Sequence, residues 1–139
     1  MWLKVRYQID KVAEVKHPML VAEIYDDYIE VIALDKTYGK MHQLFKKCNE
    51  YINCEDPSES VIHEDSYAQL NTKITLEWHN CLLLSRKTEK CLSKKKLDDL
   101  LAAYRDYQKE EKLLEQRIVH MAISEIILLN SDLKEAVTN

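Results

Sequence analysis

The groups that could do chemistry in this chain are five histidines, four cysteines and a scatter of carboxylates. Only Glu14-Val15-Lys16-His17 has the Glu-x-x-His spacing of a helical di-iron carboxylate centre. That centre needs two such pairs and two further glutamates. No second pair exists, and His17 stands directly before Pro18, where helical geometry breaks. His42, His63, His79 and His120 have no carboxylate or histidine at a matching helical offset, so they read as surface or hydrogen-bonded residues. His79 and Cys81 lie two apart, on different faces of a helix, which argues against a thiolate–imidazole pair. One glycine cannot build a phosphate-binding loop or a nucleophile elbow. The sequence therefore assigns no catalytic residue, no metal ligand and no cofactor site.

Two charged features remain. Glu111 and Glu125 fall on the apolar stripe of Ile118, and Glu125 lies within the apolar run IVHMAISEIILL. A carboxylate there must be paired, protonated or aimed at a gap, and an ion pair to a neighbouring Lys or Arg is the plain expectation. Arg86, Lys87, Lys90, Lys94, Lys95 and Lys96 form a basic cluster around a turn, with Ser93 as a helix cap. The cluster could contact phosphates. It lacks interleaved aromatics, and the chain is acidic overall at net charge −4, so a solvated helix end is favoured.

The elements that would position these groups read as helices. The stretch 97–129 has no Gly or Pro and places Leu97, Leu100, Tyr104, Tyr107, Leu114, Ile118 and Met121 on one stripe, with Ile118, Met121 and Ile126 expected in the core. A second long helix is expected from Ser66 to about Leu92, with Ile74, Trp78 and Cys81 inward. Shorter helices are expected before Lys16, from Pro18 to about Tyr38, and from Met41 to Ile52. Pro18 would begin the second of these, and Gly39 would end it as a left-handed stop. The β-branched run IEVIALD invites a strand, but its periodicity and the lack of flanking turn residues favour helix. The expectation is all-α: an elongated antiparallel bundle of about five helices built on two long C-terminal ones. It forms one domain over 1–139, with an acidic loop at about 53–65 and a frayed tail at about 131–139.

Cys48, Cys54, Cys81 and Cys91 form no CxxC pair and read as free thiols in a reducing compartment. No signal peptide or membrane-spanning run is visible, so a cytoplasmic or nuclear protein is expected, without a membrane. The strongest functional signal is apolar surface on more than one side of the long helices: Leu76 and Leu83 on one, Ile123 and Ile127 on the other. Trp2 also needs cover. The leading expectation is a non-enzymatic interaction or assembly module that self-associates or serves as a subunit of a complex. A nucleic-acid-associated protein using the basic cluster, and a small helical enzyme with a hidden site, are the alternatives. A protein partner or homo-oligomer is expected, and nucleic acid is not favoured.

Overall fold

The run IEVIALD is where the helical expectation fails. In the computed structural model, which describes residues 1–53, 64–86 and 92–134, it is the central strand of a curled sheet. In chain order the strands are β1 (Trp2–Leu3), β2 (Arg6–Gln8), β3 (Lys11–Val12), β4 (His17–Ile24), β5 (Tyr28–Lys36), β6 (Asn49–Ile52), β7 (Ser66–Gln69), β8 (Lys73–Glu77) and β9 (Ile118–Met121). The α-helices are α1 (Lys94–Glu110) and α2 (Ile123–Leu129). Short 3-10 turns cover Met41–Phe45, Asn80–Ser85, Glu115–Arg117 and Ser131–Leu133. The fold is thus mixed α/β around a sheet, not an all-α helical bundle.

β5 is buried on both faces. Ile29, Val31 and Ala33 point to one side, and Glu30, Ile32 and Leu34 to the other. A strand covered on both faces shows an unbroken apolar run instead of alternation, and such a run cannot be told from a buried helix by periodicity. Along one edge β5 pairs antiparallel with β4, with a β-bulge between Val21 and Glu23. Its other edge is shared. β8 pairs with Tyr28–Val31, and β7 pairs with Leu34–Lys36. Between β7 and β8 the chain steps out of the ladder at Leu70-Asn71-Thr72. β6 extends the sheet beyond β7, and β9 extends it beyond β8 as the parallel neighbour. β2 and β3 form a separate hairpin.

Each face of the sheet has its own core. On one side Leu3, Val5, Met19, Val31, Leu76, Leu82, Val119, Met121, Ile126 and Leu133 pack together. On the other, α1 lays Leu100 and Tyr104 on Ile32, Leu34, Ile52 and Leu70. Burying each such side chain contributes about 1.5–3 kcal/mol.

The corrections follow from this layout. The expected helix at 97–129 is broken: α1 ends at Glu110, β9 follows, and only Ile123–Leu129 returns to helix as α2. α1 carries Leu97, Leu100, Tyr104 and Tyr107 toward the sheet, and the Ser93 hydroxyl accepts the Lys96 N–H at 3.3 Å as cap. After Glu110 the chain leaves the helix, and Ile118 to Met121 becomes β9. Met121 and Ile126 are core, but Ile118 is half exposed because alternate strand residues face outward. The helix expected from Ser66 is β7, β8 and a 3-10 turn. The helices expected before Tyr38 are strands, and Pro18 sits in β4, where it pairs with Trp2 of β1. In place of the third, Asn49–Ile52 is β6. Gly39 does take a left-handed φ of 73°, although it ends no helix. The expected loop and tail fall largely outside the described residues.

Candidate functional site

Along the outer edge of β4 the sheet stays open, as it does beyond β6 and β9 among the described residues. β1 covers the β4 edge only opposite Pro18 and His17, with two further bonds: Met19 N–H to the Met1 carbonyl at 2.6 Å, and the Met1 ammonium to the Met19 carbonyl at 3.1 Å. Beyond Met19 no strand among the described residues pairs with that edge. A groove of about 580 Å³ wraps it, lined chiefly by Met19, Leu20, Val21, Ile24, Trp78 and Leu83. β4 and the segment after β8 supply these side chains, and Leu92 and Leu97 at the start of α1 complete the lining. At its rim Ile24 is 74% exposed and Leu83 is 52% exposed, far from the burial their size would gain in a closed core. The bulge and Glu23 lie at the far end of the edge, the devices by which sheets discourage indiscriminate pairing.

A second cluster centres on Asp35. Its Oδ2 accepts from Lys40 Nζ at 2.7 Å and from the Tyr67 hydroxyl at 3.2 Å, and its Oδ1 accepts the Lys36 N–H at 2.9 Å. His17 Nδ1 is 3.9 Å from Oδ1, too far for a hydrogen bond. Burial, then the Asp35 charge, pushes the Tyr67 phenol up to about 12. Both oxygens of Asp35 are engaged, so this cluster ties β5, β7 and the turn after β5 together and leaves no base free for catalysis.

Among the apolar interface candidates singled out from sequence, Leu83 alone lies in the groove and on its exposed rim. Leu76, in β8, is fully buried in the core, which removes it from any surface. Ile123 and Ile127 are half-buried and pack from α2 onto the larger core. Trp2 is half-buried in β1 and lines a different cavity with His17 and Asp35. The sequence reading missed Ile24 and Val21, whose exposure depends on β4 being an edge strand. Of the basic cluster, Lys94 and Lys95 are exposed in the first turn of α1 and Lys96 donates to the Asn53 carbonyl; Arg86 borders the groove. Lys87 and Lys90 lie outside the described residues. Cations at a helix N-terminus oppose the helix dipole, so Lys94 and Lys95 gain nothing from it. Glu125 is paired as expected: both its oxygens accept from the Arg6 guanidinium, one at 2.9 Å from Nη2. Its partner comes from a strand instead of a helix. Glu111 pairs with Lys47.

Among the described residues Cys48 and Cys81 are free thiols, and burial raises the Cys81 thiol pKa. No group of three or more His, Cys, Asp or Glu lies close enough there to hold a metal ion. No helix among these residues is long and apolar enough to cross a membrane. Compared with protein-family models, curated proteins and solved structures, the chain matches none.

Proposed function

We propose that this chain is a non-enzymatic interaction module that takes an extended apolar segment of another protein along the outer edge of β4. The observation that carries this reading is the 580 Å³ apolar groove wrapped around an unpaired strand edge. Main-chain hydrogen bonds to an open edge supply affinity, and pockets on either side of it select alternate side chains of the added strand. A segment continuing the line of β1 would meet Leu20 and Val21 before the bulge ends the pairing. A second copy fits less well, because edge-to-edge pairing would bring together two bulged strands and both Glu23 carboxylates. The site needs no cofactor, and a reducing compartment suits the free thiols. The basic residues at the start of α1 support no comparable reading for nucleic acid, since the run Ser93-Lys94-Lys95-Lys96 carries no interleaved aromatic residue for stacking on bases.

The test begins with a linear peptide selected from a random library against the folded chain. Its binding should shift the amide signals of residues 20–24. Ile24→Glu combined with Leu83→Glu should keep the circular dichroism of the wild type, because both side chains are exposed, and should abolish the binding. Light scattering that finds a dimer, lost in the same variant, would instead make the occupant a second copy. A monomer that selects no peptide at this edge would refute the reading.

A further inference from the structure

A second cavity, of about 240 Å³, lies between the sheet and α1, and Glu30, Lys73, Tyr104, Arg105 and Lys109 all line it. We propose that it is a binding site for a small zwitterion of the α-amino-acid class. Glu30 is the reason. It is 7% exposed, on the face of β5 beneath α1. One of its oxygens accepts a hydrogen bond from the Tyr104 hydroxyl. The other, Oε1, receives no hydrogen bond from the protein, and the nearest cation, Lys73 Nζ, is 4.0 Å away. No buried side-chain oxygen or nitrogen among the described residues lacks a partner, so Oε1 is reached by water from the cavity, and a ligand's donor would take that water's place.

The surrounding charges say what kind of donor. Arg105 is held by Glu23 at 3.1 Å, and Gln108 is held by the Leu70 carbonyl at 2.8 Å. Lys73 and Lys109 remain to face a ligand. A plain anion would meet the Glu30 carboxylate, and a plain amine would meet the two lysines. A molecule with an ammonium and a carboxylate a few bonds apart satisfies both, the ammonium donating to Glu30 Oε1 and the carboxylate accepting from Lys73 and Lys109. The cavity is distinct from the β4 groove and draws on different side chains, although Tyr25 borders both.

The test uses the folded chain and L-glutamate, followed by amide signals of α1 and β5. Saturable shifts at Glu30, Lys73 and Tyr104 are expected. Glutarate, which lacks the ammonium, and propylamine, which lacks the carboxylate, should each bind much more weakly. Glu30→Gln keeps the shape and the bond to Tyr104, and it should lower affinity for L-glutamate at least about tenfold, the least expected from losing a hydrogen bond to a charged group. Lys73→Met should weaken it as well. The Ile24→Glu, Leu83→Glu variant should bind L-glutamate like the wild type, which separates this site from the groove. The proposal is overturned if L-glutamate gives no saturable shift, if glutarate or inorganic phosphate binds as well, or if Glu30→Gln binds unchanged.

Discussion

β5 carries two carboxylates, one on each face, and each is bonded to a buried phenol. Asp35 meets Tyr67, and Glu30 meets Tyr104. Their surroundings then diverge. Asp35 also binds Lys40 and the Lys36 amide, so both its oxygens accept hydrogen bonds. Glu30 keeps one oxygen toward a cavity, with its cation beyond bonding distance. The same pair of residue types therefore does two jobs. Where the donors saturate the carboxylate, the pair fastens strands; where they leave it short, the pair prepares a site. Counting donors separates the two, and residue type does not.

That contrast can be broken at several levels. The largest effect should come from the core that supports both pairs. Leu76→Ala, in β8 on the dry face, should cost ~2–5 kcal/mol in a urea melt, the range for truncating a buried leucine. A loss below ~1 kcal/mol would mean the strand register described here is wrong. Next come the carboxylates themselves. Asp35→Asn removes an ion pair and places an amide donor against donors, and should cost about 2 kcal/mol. Glu30→Gln should cost under ~1 kcal/mol, because it gives up only one accepted bond's charge. Equal losses in the two urea melts would erase the distinction drawn above.

The phenols give a smaller and pH-dependent effect. Tyr67 ionises near 12 when folded and near 10 when unfolded. Its neutral form therefore favours the folded state fully below pH 10, and that contribution is lost as pH rises from 10 through about 12. Near pH 11 the wild type should have lost on the order of 1 kcal/mol that Tyr67→Phe does not lose. Parallel urea melts of the two proteins across that range would test it, and identical pH profiles would contradict it. The smallest effect belongs to Ile118→Ala, which should change stability by less than ~0.5 kcal/mol because the side chain faces water. A larger loss would place Ile118 inside, as a continuous helix would have done.

How much of this the sequence disclosed depends on how local the cause is. The Ser93 cap, the Leu100–Tyr104 spacing of α1 and the left-handed Gly39 arise within a few residues, and they were legible. So was the need of Glu125 for a cation, although the partner, Arg6, lies 119 residues away. The strands were not legible, because their causes are distant. Val31 and Ile32 are both buried, one under each face, and that erases the two-residue alternation that marks a half-exposed strand. Leu76 similarly looked like surplus apolar surface on a helix, and Met121 like the core of one; in the sheet they are opposite each other in the β8–β9 ladder. The scarcity of glycine misled as well, since Tyr25-Asp26-Asp27 and Leu70-Asn71-Thr72 connect strands without it. The groove followed the strands into obscurity. Leu83 could be flagged by its apolar character, whereas Ile24 matters only once β4 is an edge.

The parallel pairing of β8 with β9 has a further consequence, for the order in which the molecule assembles. Lys73 meets Ile118 from 45 positions away, and the Asn130 side chain bonds the Lys4 backbone from 126 positions away. The β4–β5 hairpin and α1 can begin to form from neighbours alone. The larger core cannot close until β9 and α2 arrive, and that closure carries the entropy of a long loop before any contact rewards it. Refolding should therefore be slower than for a helical bundle of equal length. The hairpin amides should gain protection from hydrogen exchange early, and those of β8 and β9 should gain it together and last.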